Sequence, residues 1–289
     1  ATGMVTEFTE LQGEMGKEYA LLDGEKTEVA QAIFEQYMPR FAGDILPEQE
    51  IGRALSLADK LDNLAATFLR GLIPTGSQDP FALRRQTIGA VNILTDGKIH
   101  WDIRRGIEAA LALLPGDEET KKTVLSQIED FFRQRIKAIM LDEGIAYDII
   151  DAVLAGPVDD IYALFLKARS MAESQLKGEA ELRQAVTRLA NITKGKTGGK
   201  VDPSLFTEDV EKKLQDAFEA VSAKALPLFA SYEYGKALPA LKELTAPIND
   251  YLDNVMVMVD DEAVKNNRIS QLLATLALFN TWGDFSKLV

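Results

Sequence analysis

No cysteine occurs in the 289-residue chain, which excludes disulfides, thiolate nucleophiles and cysteine-held metals and leaves no mark of an oxidising compartment. The expected location is the cytoplasm. Histidine is nearly missing too. The single His100 cannot build a histidine-rich metal site or a Ser-His-Asp triad with parts to spare. Beside Trp101 it reads as a packing or capping residue. No apolar run approaches the roughly 18 residues that a membrane span needs; the longest lies near Ala109 to Pro115. The amino terminus lacks a basic start followed by an apolar stretch, so no membrane partner is expected. Alternating β-branched residues are scarce, and strands are not expected.

What the chain has in quantity is acid. The net charge of −13 disfavours indiscriminate polyanion binding. The charge is uneven: residues 1–79 carry −8, residues 80–200 carry +1 and residues 201–289 carry −6. More than half of the bases lie in the middle segment, so a nucleic acid would have to meet local basic groups on an acidic body.

Helix formers with apolar residues three and four apart predict an all-α fold. Glu28 to Tyr37 reads as a short amphipathic helix and Ile51 to Leu69 as a longer one. In the latter, Ile51, Ala54, Ala58, Leu61, Ala65 and Phe68 form the expected apolar stripe, and Arg53, Ser56, Lys60, Asn63 and Thr67 the polar one. The stretch PTGSQDPFALRR (Pro74 to Arg85) then predicts a rigid turn, with Asp79 as N-cap and Pro80 as first helical residue. Trp101 to Leu114, Glu118 to Glu143, Tyr147 to Leu154 and Asp159 to Asn191 are expected to be helical, the last interrupted near Gly178. The run KGKTGGK (Lys194 to Lys200) reads as a mobile basic linker. Beyond it Asp202-Pro203 starts a helix through Phe229, followed by helices over Gly235 to Val259, with a break at Pro247, and Glu262 to Thr281. The expected organisation is residues 1–95, a helical body over 96–200, and a terminal bundle over 201–289.

Candidate chemistry is sparse. The carboxylate groups Asp59/Asp62, Asp159/Asp160 and Asp260/Asp261/Glu262 suit solvated helix edges and helix starts better than metal or acid-base work. GKTGGK lacks the GxxxxGK[ST] spacing of a phosphate loop. Its Lys194, Lys196 and Lys200 remain suited to a phosphate backbone. Arg84, Arg85, Arg104 and Arg105 are either phosphate contacts or partners of the surplus acids. Asn266, Asn267 and Arg268, in the first turns of the final helix, carry groups suited to base edges or phosphate.

Several separated blocks carry a resemblance. They are MVTEFTELQGEMG (Met4 to Gly16), PRFAGDILP (Pro39 to Pro47), LSLADKLDNL (Leu55 to Leu64), PTGSQDPFALRR, RLANI (Arg188 to Ile192) and DNVMVMVDDEAVKNNRISQLL (Asp253 to Leu273). Together they resemble the carboxy-terminal part of the β subunit of bacterial glycyl-tRNA synthetase, over nearly the whole chain. The resemblance implies a partial helical domain related to the HD phosphohydrolase fold over 1–95, a linker body over 96–200 and a DALR-like anticodon-binding bundle over 201–289. It also implies glycine-specific tRNA and an α subunit as partners in an α₂β₂ assembly. ATP and Mg would be used at the α subunit, with no cofactor, metal or catalytic residue in this chain. The implied RNA contacts are Arg84, Arg85, Arg104, Arg105, Arg188, Lys194, Lys196, Lys200, Lys265, Asn266, Asn267 and Arg268.

Two departures qualify the resemblance. Asp59 resembles the last acidic member of an HD site, yet no histidine stands in that domain, which argues against phosphohydrolase activity. Lys265 replaces an arginine of the family pattern, keeping the charge without the bidentate fork. The abrupt start at Ala1-Thr2-Gly3 suggests a fragment. The alternative reading is a module that docks on the α subunit without touching RNA.

Overall fold

The structure is a computed structural model that describes residues 3–76 and 78–289; Ser77 of the turn motif and the first two residues lie outside the described residues. Fourteen α-helices are present among the described residues, with no β-strand and two isolated bridges. The all-α expectation holds. The chain divides into two compact units, residues 1–139 with 158–162 and residues 140–157 with 163–289. The Lys194–Lys200 run lies inside the second.

The first unit is organised around α4, Glu50–Leu69. Around it lie α2 (Glu14–Leu22), α3 (Thr27–Glu35), α5 (Leu83–Asp96) and α6 (Ile103–Ala112), of which α3, α5 and α6 pack directly on α4. The short α1, Gly3–Glu7, precedes them. Leu64, Ala65 and Phe68 are buried in company with Leu83, Val91 and Leu94 of α5 and Ile103, Ile107 and Leu111 of α6. The Phe68 ring meets the Phe131 ring edge-on at 5.2 Å, tying in α7 (Glu118–Asp142). His100 Nδ1 lies 2.8 Å from Asp160 Oδ2 and its ring lies against Tyr162.

The stripe expected on α4 is rotated. Ile51, Ala54 and Ala58 are exposed, whereas Ser56 and Lys60, expected on the polar face, are buried. The cause is the segment after α3. Ser56 Oγ and Lys60 Nζ both donate to the carbonyl of Met38, at 2.7 and 2.8 Å, and Lys60 Nζ also donates to Ser56 Oγ at 2.6 Å. Gly52 continues the same face. A Cβ there would sit 1.8 Å from Glu35 Oε2, so only glycine admits the buried Glu35 carboxylate against α4.

The turn motif also differs in detail. Helix α5 begins at Leu83, not at Pro80, and its N-cap residue is Ala82 in a left-handed conformation (φ 53°). Asp79 still caps the helix from further upstream. Its carboxylate accepts from the amides of Leu83 (2.8 Å) and Arg84 (3.0 Å), which satisfies two of the donors that any helix start leaves open.

The second unit contains α8 (Tyr147–Val153), α10 (Ala180–Thr193), α11 (Asp209–Ala230), α12 (Leu238–Lys242), α13 (Thr245–Asn254) and α14 (Glu262–Asn280), with most of α9 (Ile161–Glu173). Helix α10 packs on α13 and α14, and α11 packs on the same two. Phe279, Trp282 and Phe285 form an edge-on aromatic cluster, with the indole N–H of Trp282 donating to the Lys167 carbonyl at 3.2 Å. The helix expected from Asp202-Pro203 is a short 3₁₀ turn, Pro203–Leu205. The true start is Asp209, because Glu208 and Glu211 form a reciprocal capping box there. The expected Gly235 to Val259 helix is two helices, α12 and α13, and Pro247 sits in the first turn of α13, where its missing N–H costs nothing.

Candidate nucleic-acid interface

The carboxy-terminal bundle is held by a polar cluster on α14. Asp261 caps the helix by accepting from the amides of Ala263 and Val264. Further along the helix the chain turns Asn267 and Arg268 inward, each 4% exposed. The Arg268 guanidinium donates to Glu211 Oε1 at 2.9 Å, Glu211 Oε2 at 3.3 Å, Thr207 Oγ1 at 2.7 Å and the Met256 carbonyl at 2.7 Å. Glu211 in turn accepts from the amides of Thr207 (2.8 Å) and Glu208 (2.9 Å). Burial pushes the Glu211 carboxyl up, but the Arg268 guanidinium and those two amides outweigh it and hold the group below the usual range. The same pairing, first through hydrogen bonds and then through charge, holds the Arg268 guanidinium above its usual value. Burial pushes the neighbouring Tyr251 phenol up.

Asn267 works in the same way. Its Oδ1 accepts from the Asp202 amide at 2.7 Å and its Nδ2 donates to the Asp202 carbonyl at 2.9 Å. One turn on, Ser270 Oγ accepts from the Gly199 amide at 2.9 Å. The end of the lysine-glycine run is therefore docked on α14 instead of hanging free, and Lys200 lies between the two docked residues. Gly198 makes the approach possible, since a Cβ there would meet Leu273 at 2.9 Å. The sequence treated Asn267 and Arg268 as outward-facing. The structure corrects this: their hydrogen-bonding groups are spent inside the protein, and Asn266 is the exposed member of the triplet. Lys265, half-buried, pairs with Glu262.

The remaining sequence-stated cations fall into two sets. Arg104 bridges to Glu108 (3.2 Å) and Glu129 (2.7 Å), Arg105 to Asp102 (3.2 Å), and Arg188 to Asn249 (3.0 Å) and Asp253 (2.5 Å). All three are engaged within the protein, which for Arg104 and Arg105 is the second of the two alternatives the sequence leaves open. Arg84 donates to the Gly76 carbonyl at 2.7 Å. Arg85, Lys194 and Lys200 are exposed and Lys196 is half-buried, and the described residues supply none of the four with an ion-pair partner within 4 Å. The structure brings Lys200 to α14 and leaves Arg85 in the first unit.

Glu211, Thr207 and Gln271, whose Nε2 donates to the Glu211 carbonyl at 2.7 Å, went unnoticed in the sequence as parts of this cluster. The Glu208-x-x-Glu211 spacing was the signal available. In the first unit Asp59 accepts from Gln36 Nε2 (3.2 Å) and Asn63 Nδ2 (3.3 Å). Among the described residues no three His, Cys, Asp or Glu side chains are grouped to hold a metal, and no helix is long and apolar enough to cross a membrane.

The family model described as the DALR anticodon binding domain matches residues 182–283, the helical bundle from α10 to α14. The model described as glycyl-tRNA synthetase beta subunit matches residues 1–155. The whole chain is 44% identical to the glycine–tRNA ligase beta subunit of Clostridioides difficile (strain 630) and 42% identical to that of Desulforamulus reducens; that of Shouchella clausii is 41% identical. In each case all of this chain aligns with 42% of the relative's length. The chain belongs to the glycyl-tRNA synthetase β-subunit family.

Proposed function

We propose that the chain is the tRNA-binding, anticodon-reading portion of the β subunit of a heterotetrameric glycine–tRNA ligase, acting in the cytoplasm beside an α subunit that carries the ATP- and Mg-dependent aminoacylation site. The observation that carries this reading is the anticodon-binding match over the helices α10 to α14. The phosphate-facing groups are assigned to Arg84 and Arg85 on the first unit and, on the surface of the second, to Lys194, Lys196, Lys200, Lys265 and Asn266. Asn267 and Arg268 support this surface from within. Arg104, Arg105 and Arg188 reach phosphate only by giving up their ion pairs.

Fluorescence anisotropy with labelled glycine tRNA, and with the same tRNA carrying a changed anticodon, tests the reading between 50 and 200 mM salt. Tighter binding to the native anticodon is expected. Lys196→Ala and Lys200→Ala should each shallow the salt dependence by about one counterion. Equal affinity for both tRNAs, or unchanged salt slopes, refutes it.

A second reading, docking on the α subunit without RNA contact, is favoured by one observation. Between α4 and α6 runs an apolar groove of about 940 Å³, lined by Ala54, Leu55, Ala58, Trp101, Ala109 and Leu113. Co-purification with the α subunit in the absence of any tRNA binding would select this reading.

A further inference from the structure

A second, polar pocket lies on the first unit. It has a volume of about 350 Å³ and is walled by the end of α3, the loop through Pro39 and Arg40, the middle of α4 and the start of α5. That size sits at the small end of ligand sites. Its lining mixes three kinds of group with one carboxylate, Asp59, which is taken up by the lining amides of Gln36 and Asn63. Cations come from Lys60, Arg40 and Arg85, aromatic rings from Tyr37 and Phe81, and amides from Gln12, Gln36, Asn63 and Gln86.

These groups are not equally committed. The Arg40 guanidinium is taken up by Asp44 at 2.9 Å. Arg85 has no partner among the described residues and is exposed. Lys60 donates to Met38 and Ser56, which leaves one of its three N–H groups open. Burial lowers its ammonium to about 8, opposed by the Asp59 charge, so it is still mainly protonated at neutral pH. Gln86 is held by its Nε2, which donates to the Phe81 carbonyl at 3.0 Å. Its Oε1 is buried and accepts nothing from the protein, a costly state unless a ligand or water supplies a donor. The Phe81 ring is 49% exposed at the rim, with its face open to a flat partner.

An anion alone would use the cations and leave the ring and the amide acceptor idle. An apolar ligand would leave the cations unpaired. One chemistry uses all three: a phosphate joined to a flat ring with amino groups at its edge. We propose that this pocket binds a single unpaired nucleotide, with its phosphate on Arg85 and Lys60, its base against Phe81 and an exocyclic amine donating to Gln86 Oε1. Stacking on an aromatic ring with hydrogen bonds to the base edges is the way proteins take up unstacked RNA bases. The nucleotide can come from single-stranded RNA or from the free pool, and the RNA source rests on the function proposed above.

The test is anisotropy of the chain with a fluorescein-labelled single-stranded RNA tetranucleotide, with AMP, CMP and inorganic phosphate as competitors. Binding by the unmodified chain is expected, with AMP or CMP competing at least tenfold better than phosphate. Arg85→Ala and Gln86→Leu should each weaken binding fivefold or more, with unchanged helical circular dichroism. Gln86→Leu is the decisive variant, because it removes no charge. AMP binding at least as tightly as the tetranucleotide supports the pocket with a free nucleotide as its ligand. No binding, equal competition by phosphate, or Gln86→Leu binding like the unmodified chain overturns it. Anticodon discrimination by Gln86→Leu is expected to be retained, so failure of the pocket and failure of the anticodon-reading function give different results.

Discussion

Replacing Arg268 separates a structural arginine from an RNA contact. Arg268→Ala leaves the Glu211 carboxylate without the guanidinium that faces it at 2.9 Å, in a site where Glu211 has no exposure. It also strips one donor each from Thr207 and the Met256 carbonyl. Breaking a buried pair by removing one partner costs about 3–5 kcal/mol. The two amides that still reach Glu211 keep the expected loss at the lower end, about 3 kcal/mol. That is a large share of the roughly 5–15 kcal/mol that holds a typical domain together. Urea unfolding followed by circular dichroism should show the midpoint of the carboxy-terminal unit shifted accordingly. The double variant Arg268→Met with Glu211→Gln should recover most of the loss, since the stranded charge is then gone. The pair also dictates a pH response. The folded Glu211 value lies below the unfolded one, so its stabilisation is complete above the unfolded carboxylate range near 4.5 and is lost as pH falls through the folded value. Arg268→Ala should flatten that acid limb. If Arg268→Ala unfolds within about 0.5 kcal/mol of the unmodified chain yet loses tRNA affinity tenfold, Arg268 is a surface contact and the buried pair has been misjudged.

Two further perturbations address the first unit. Lys60 is lowered to about 8 by burial, so above that pH the unfolded state binds more protons and stability should rise between pH 8 and 10.5, by about 3 kcal/mol at most. Lys60→Met should remove this rise, and thermal melts across that range would show it; a slope equal to that of the unmodified chain refutes the burial of a charged Lys60. Gly52→Ala places a Cβ onto the Glu35 carboxylate and should cost about 1–3 kcal/mol through overpacking, whereas an unchanged melting temperature would show that α3 is free to move away from α4.

The elements that were legible in the sequence are those whose signal is local. The break near Gly178 and the start of α14 after Asp261 follow from turn and cap chemistry within a few residues. What could not be read is where a polar side chain finds a partner far along the chain. Ser56 and Lys60 look solvent-facing until the Met38 carbonyl, about 20 residues earlier, is brought over them. The i, i+4 series Gly52, Ser56, Lys60 was a visible clue, since a small residue on a helix face invites close approach.

The same logic governs α14, with a functional consequence. Asn267, Arg268, Ser270 and Gln271 are all buried, and each bonds to a residue that precedes the helix by more than ten positions: Asp202, Glu211, Gly199 and Glu211 in turn. A polar block in a first turn reads as a surface for RNA, because charged groups are seldom buried unless paired, and the pairing residue Glu211 is 57 positions away. Turning the block inward does not remove the basic surface; it fixes it. By pinning Gly199 and Asp202, Ser270 and Asn267 set the position of Lys200 and reduce the conformational entropy that a free loop would lose on meeting phosphate. An acidic bundle can thus carry a local cationic ridge: the cations Lys200, Lys196 and Lys194 are borne by a loop whose end is docked, and the acids Asp253 and Glu211 are neutralised by Arg188 and Arg268.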